Sequence, residues 1–251
     1  MILETLKLRS YRNLGNIDLT WNNHFNVIYG ENAQGKTNLL EAIYLLGHLK
    51  SFRGARGQDL INHTAETAFI SAMVDKGNVA HKLDISLQKA GRNPRVDGKT
   101  VKKLSEFLGY LRSVLFTPEE LGNIKGFPAG RRALLDRAIL QTEPTYLDRV
   151  QEYERNLRQR NQLLKKLAGE AELVPWTEAL VRTGSKIRYE RQLYLERLRP
   201  HLCHVYQEIT GGKESAGLNY SVAFKSQEEI TTQLITDFER LASREKKLGL
   251  T

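Results

Sequence analysis

The sequence predicts an α/β fold with a helical lobe set into it, and three observations carry that prediction. Gly30-Glu31-Asn32-Ala33-Gln34-Gly35-Lys36-Thr37 fits the pattern G-x-x-x-x-G-K-[ST], between a predicted strand and a predicted helix. Residues 67–99 show short alternating runs separated by turn signals, the pattern of an antiparallel meander. After about residue 126 the pattern changes to helical periodicity dense in Arg, Lys and Glu. The expected organisation is an amino-terminal phosphate-loop lobe over 1–125 and a mainly helical inserted lobe over 126–245, with a hairpin at about 145–199. Residues 246–251 are expected to open a further, carboxy-terminal part of the first lobe.

Each element has its own signal. Residues 2–8 and 17–21 alternate apolar and polar like paired strands, joined by the turn Ser10-Tyr11-Arg12-Asn13. An alternation that starts this early reads as a strand, not as a secretory leader. Residues 25–29 read as a short buried strand feeding the glycine loop. Residues 36–46 read as the helix leaving it, with Leu39, Leu40, Ile43 and Leu46 on one stripe. The meander comprises 68–74, 80–87 and Arg95-Val96, its turns marked by Gly77-Asn78, Ala90-Gly91 and Asp97-Gly98.

A short helix over 101–111 is expected to lead into a compact apolar strand at 113–116. Thr117-Pro118-Glu119-Glu120 reads as a helix start, with Thr117 as N-cap, Pro118 first and Glu120 third. Residues 128–140, 146–168 and 176–199 are helical in period. In the second, Leu147, Val150, Tyr153, Leu157, Leu164 and Leu167 form a stripe; in the third, Trp176, Leu180, Thr183, Ile187, Tyr194 and Leu198 do. With a reversal over 169–175 they make an antiparallel hairpin, each arm about 35 Å long at 1.5 Å per residue. Residues 218–224 read as a strand, and Ser226-Gln227-Glu228-Glu229 caps a last helix through Glu245.

The glycine loop carries the chemistry. A polyphosphate must be held without bulky side chains in its way. Gly30 and Gly35 let the backbone turn tightly and point its N–H groups inward. The following helix adds the partial positive charge of its N-terminus. Lys36 should reach the β- and γ-phosphates, and the Thr37 hydroxyl should ligate Mg²⁺. The other reading, a glycine turn that merely caps a helix, leaves Lys36-Thr37 unexplained.

Composition narrows the partners. With 40% hydrophobic residues and a mean hydropathy of -0.46, the 251-residue chain has no apolar run near the roughly 20 residues a membrane span needs. Its single cysteine, Cys203, permits no internal disulfide and fits a reducing cytoplasm. A formal net charge of +9 favours an anionic partner beyond the nucleotide, with nucleic acid the natural candidate.

Taken together, these residues resemble the RecF family, DNA-repair ATPases related to SMC proteins and ABC-type ATPases. Arg9-Ser10-Tyr11-Arg12-Asn13 ends the first strand as in SMC-like heads. Residues 29–43 match the family's form of the phosphate loop, and Lys50-Ser51-Phe52-Arg53 follows it. Phe116-Thr117-Pro118-Glu119-Glu120-Leu121, then Lys125-Gly126, Pro128, Arg131-Arg132 and Leu135-Asp136, is the most specific stretch. The resemblance implies a P-loop ABC/SMC-like ATPase head, a mixed sheet with an antiparallel meander and an inserted helical lobe. It also implies ATP bound between two heads in an ATP-dependent homodimer, DNA binding at gaps or junctions, and a role in DNA repair, replication and the SOS response. RecO- and RecR-like mediator proteins are the implied partners. Such ATPases also use a Leu-Ser-Gly-Gly-like signature and an apolar strand ending in Asp, and this sequence has neither. Leu134-Leu135-Asp136 and Leu234-Ile235-Thr236-Asp237 lie in helical patterns. The expectation is an amino-terminal portion that binds ATP and hydrolyses it poorly.

Other residues admit two readings. By resemblance, Arg12 and Asn13 lie near the base or ribose; otherwise they are a turn between strands. Arg53 and Arg56 are candidates to grip DNA phosphates, or are solvated surface arginines. Arg131 and Arg132 stand at a helix start, where positive charge is unfavourable, so they are DNA candidates unless paired with Asp136. Glu119 falls where related ATPases sense Mg²⁺ and the attacking water, although a capping turn accounts for it as well. His201, Cys203 and His204 lack the clustered ligands a tetrahedral zinc site needs. Two other functions stay open: a small-molecule kinase using the same loop, and an architectural DNA-binding protein with a degenerate ATP site. The lack of an Asn/Thr-Lys-x-Asp motif argues against a GTPase.

Overall fold

The computed structural model describes residues 1–118, 122, 126–220 and 224–251. The chain divides into two compact units, 1–145 and 146–251. Helix α2 (Pro128–Thr142) falls in the first of these units.

In the first unit, strands β1 (Ile2–Tyr11), β2 (Leu14–Thr20), β3 (Thr67–Asp75), β4 (Ala80–Gln88), β5 (Gly91–Val96) and β6 (Lys99–Thr100) form one antiparallel sheet. Its order is β2-β1-β3-β4-β5-β6. Leu6 and Leu8 on β1 pair with Ala72 and Ile70 on β3, which pair in turn with Leu83 and Ile85 on β4. All six are buried, so one sheet face is apolar throughout its centre. The meander forms as expected, and Asp97-Gly98, with φ of 50° and 77°, makes the left-handed turn that such a dipeptide favours between β5 and β6.

Helix α1 (Lys36–His48) leaves the glycine loop as expected, but its buried face is rotated from the expected stripe. Ala42, Leu45 and Leu46 are buried while Leu40 is exposed, and the buried face includes Glu41. Two expected strands do not form among the described residues. Residues 25–29 pair with no strand among the described residues, and Phe25 is 91% exposed. Residues 113–116 behave alike, with Val114 95% exposed. A short apolar run supplies strand character, but a strand needs a neighbour to supply its hydrogen bonds. The helix expected over 101–111 reduces to a short 3-10 turn, Leu104–Glu106.

The second unit is helical: α3 (Tyr146–Lys165), α4 (Glu170–Thr210) and α5 (Gln227–Leu248). Contacts Arg149–Glu190, Glu152–Arg182 and Arg160–Thr177 rise along α3 and fall along α4, so the pair is an antiparallel hairpin. Its arms are unequal. The expected reversal over 169–175 closes by Gly169, and α4 runs 41 residues, about 60 Å. Pro175 and Pro200 lie inside it, and it stops at Gly211 in the left-handed conformation. Gly184 permits close packing: a Cβ there would lie 3.2 Å from the Tyr153 ring and 3.6 Å from Leu234. Val181, Ile230 and Leu234 form the apolar centre, with Tyr189, Phe224 and Phe238 against it.

Ser226 caps α5 as expected, its hydroxyl accepting the Glu229 N–H. Residues 246–248 finish α5 and do not open a strand; Gly249, at φ 65°, ends the helix by donating its N–H to Glu245. Residues 221–223 of the expected strand at 218–224 lie outside the described residues, as do Glu119 and Glu120 of the expected capping box. No described helix is long and apolar enough to cross a membrane.

Candidate nucleotide-binding site

The glycine loop turns through three residues with positive φ: Gly30 at 144°, Ala33 at 65° and Gly35 at 99°. Gly35 is doubly required. A Cβ there would sit 2.5 Å from Leu14 Cδ2 and 2.9 Å from Asn13 Oδ1. No side chain caps α1 and no acid lies in its first turn, so its leading amides are left for an anion. Lys36 Nζ folds back onto the loop, donating to the carbonyls of Gly30 at 2.7 Å and Glu31 at 2.6 Å. A triphosphate oxygen can replace those carbonyls.

A cleft of about 330 Å³ opens over the loop, lined by Arg12, Asn32, Ala33, Gly35, Lys36, Thr37, Asn38 and Arg53. Its charged side chains are all cationic, and Thr37 supplies a hydroxyl for a divalent ion. The donor set fits a Mg²⁺-bound polyphosphate.

Neighbouring elements deliver the side chains. The turn after β1 brings Arg12, with left-handed backbone at φ 53°, and Asn13. Arg12 is tied by its N–H to the Leu60 carbonyl and by its carbonyl to Asn62 Nδ2. Asn13 Nδ2 donates to the Ala33 carbonyl at 3.0 Å, fixing the loop to the strand turn. Asn38 Nδ2 donates to Asn13 Oδ1 at 2.7 Å, and Asn38 Oδ1 accepts from Arg53 Nη1 at 2.9 Å.

Glu41 lies one turn further along α1 and is completely buried. Arg12 grips it through Nε at 2.6 Å and Nη2 at 2.8 Å. Burial pushes the Glu41 carboxyl up, yet the hydrogen bonds from Arg12, Ser51 and Tyr11 outweigh it and hold the group below the usual carboxylate range. Burial, and then the Glu41 charge, push the Tyr11 phenol up.

The structure thus gathers Arg12, Asn13, Lys36, Thr37 and Arg53 around one cleft. Arg53, a candidate for DNA phosphate or a solvated surface arginine by sequence, lines the cleft over the glycine loop. Arg56 is exposed, with its amide on Asp59, and lies apart from the cleft lining. Arg131 and Arg132 are exposed in the first turns of α2, Arg131 Nη1 donating to the Gly126 carbonyl. Glu119 lies outside the described residues. Asn38, Glu41 and Ser51 escaped the sequence reading. The available signal was Glu41 itself, a charge among Leu39, Leu40, Ala42 and Ile43, where burial demands a partner.

Known proteins resemble this chain over most of its length. Residues 2–234 match the family described as RecF/RecN/SMC N terminal domain. The chain is 43% identical to the DNA replication and repair protein RecF of Syntrophotalea carbinolica, covering 100% of this chain and 69% of that protein. It is 40% identical to the protein of that name from Geotalea daltonii, covering 88% of this chain and 60% of that one. The solved structure of the recombination mediator protein RecF-ATP in the RecFOR pathway matches with a TM-score of 0.91 at 30% identity, covering 100% of this chain and 69% of that chain. The chain therefore spans about 60–69% of the length of these relatives.

Proposed function

The chain belongs to the RecF family, and on that premise we propose that it binds Mg²⁺-ATP at residues 30–37 and uses the nucleotide to switch its hold on DNA. The observation that carries this reading is the cationic cleft over the glycine loop, in a chain that matches a solved RecF-ATP structure along its length. Lys36 exchanges the Gly30 and Glu31 carbonyls for the β- and γ-phosphates, and the α1 amides meet the remaining charge. The Thr37 hydroxyl would hold Mg²⁺, whose chemistry when bound would be to neutralise phosphate charge. Asn13 and Asn38 keep the loop in register with β1, so the cleft is largely formed before the ligand arrives.

The net charge of +9 supports DNA as the second ligand, through salt-dependent contacts to phosphate. Arg56, Arg131 and Arg132 are the candidates for that surface. The wider role we propose is recombinational repair and replication maintenance in the cytoplasm, within the SOS response. There an ATP-dependent homodimer would act as a clamp or loader with RecO- and RecR-like mediators. Residues 1–125 with the carboxy-terminal part would form the ATPase lobe, and the helical residues after 126 its insertion. The family match leaves the small-molecule kinase and the purely architectural readings without support.

DNA affinity measured by fluorescence anisotropy at fixed ionic strength, with and without Mg²⁺-ATP, tests the proposal. The full-length protein is expected to bind gapped DNA more tightly with ATP, and Lys36→Ala to lose that difference. An affinity indifferent to ATP would remove the switch.

A further inference from the structure

Glu41 has no exposed surface, yet it is a carboxylate in the middle of an apolar helix. Buried pairs commonly do no better for stability than apolar residues of the same volume. Stability alone therefore does not explain an acid here, and its partners indicate another role. Arg12 Nε and Nη2 occupy both carboxylate oxygens. The Tyr11 hydroxyl donates to Oε2 at 3.1 Å, and the Ser51 hydroxyl to Oε1 at 2.5 Å. Ser51 Oγ in turn accepts the amides of Arg53 at 3.0 Å and Ala55 at 3.3 Å, shaping the loop that presents Arg53. Arg12 and Arg53, the two arginines so held, are the two that line the cleft.

We propose that Glu41 is a positioning residue for nucleotide binding: it fixes the Arg12 guanidinium directly, and the Arg53 loop through Ser51, where both meet the phosphate chain. The proposal rests on the reading of residues 30–37 as the ATP site. Glu41 takes Nε and Nη2 of Arg12, which leaves Nη1 for an anion in the cleft. Pairing also cancels most of the Arg12 charge, so Arg12 offers a directed donor while Lys36 and Arg53 supply net positive charge. Arg53 is steadied at its tip by Asn38 as well. Both arginines thus reach the cleft already ordered, and little side-chain freedom is lost when the ligand binds.

Calorimetric titration of Mg²⁺-ATP into the purified chain tests this with wild type, Glu41→Gln, Arg12→Ala and the double variant. Glu41→Gln keeps the shape but offers one acceptor oxygen in place of two. It is expected to weaken ATP binding about tenfold. If Glu41 acts on Arg12 directly and on Arg53 through Ser51, the double variant loses clearly less than the sum of the two single losses, the Arg53 part alone remaining beyond Arg12→Ala; a merely structural Glu41 gives losses that add. Additive losses, or a Glu41→Gln affinity within twofold of wild type, overturn the proposal. Should Glu41→Gln fail to fold, Ser51→Ala takes its place. It is expected to weaken ATP about threefold at an unchanged nucleotide-free melting temperature, and unchanged affinity overturns the proposal. Failure of the ATP-site reading looks different: wild type gives no binding heat, and both ideas fall, or Lys36→Ala binds as wild type does.

Discussion

At the scale of single residues, Gly35 is held by two constraints at once. Its φ of 99° lies where an L side chain is strained, and its missing Cβ is the space that Leu14 and Asn13 occupy. Gly35→Ala is therefore expected to lower stability by about 1–3 kcal/mol and to weaken ATP about tenfold or more, read by thermal melting and titration. Gly30→Ala meets no neighbour and strains only the backbone, so it should affect the fold less. His48 makes a different prediction. Its ring stacks on Tyr44 at 3.9 Å, and burial pushes its pKa down to about 4. The unfolded imidazole titrates near pH 6.5, so the unfolded chain binds the extra proton between those values. The stabilisation is complete above about pH 6.5 and is lost as pH falls toward about 4. Melting temperature should decline over that window, and His48→Phe, which keeps a stacked ring, should flatten the decline. The glycines, Lys36 and Thr37 were legible because their chemistry is local. Glu41 was hidden because its meaning lies in Arg12 and Ser51, which the chain reaches only after folding.

At the scale of elements, the helical stripes were legible in outline but not in chemistry. Leu147, Leu164, Leu180, Thr183 and Ile187 are buried as their spacing requires. Yet the same face of α3 carries Arg160, whose side chain is 5% exposed. Its guanidinium bonds to Glu245 on α5 at 2.8 Å, to Thr177 on α4 and to the Thr251 hydroxyl, and lies 4.9 Å from the centre of the Phe238 ring. One side chain therefore ties all three helices together. A charged residue on an apolar stripe reads from sequence as a solvated edge, because its partner is 85 residues away. Arg160→Met leaves Glu245 buried without its partner and is expected to destabilise the helical unit by about 3–5 kcal/mol. Denaturant unfolding followed by circular dichroism reads that loss. Adding Glu245→Leu should recover most of it, since the unpaired charge is then gone. If the double variant is no more stable than Arg160→Met, the loss came from packing and not from the stranded carboxylate.

At the scale of the whole molecule, the meander was legible because each strand meets its neighbour within a few residues. Residues 25–29 and 113–116 are apolar runs of strand length, but the ladder they need is not among the described strands. Phe25, Val27 and Tyr29 are all exposed, as are Val114 and Phe116. Covering one such side chain is worth about 1.5–3 kcal/mol, so five of them make a strong drive toward any apolar surface. The chain on its own is therefore expected to bind an apolar fluorescent dye while natively folded, and to self-associate as its concentration rises. Phe25→Ser with Phe116→Ser should reduce both, with the β1–β4 core unchanged by circular dichroism, because neither side chain is buried in it. The net charge of +9 opposes association at low ionic strength, and added salt screens that repulsion. Light scattering should thus grow with salt for the wild-type chain and stay nearly flat for the double variant. Equal scattering from both would place the association elsewhere on the surface and remove these two segments as its cause.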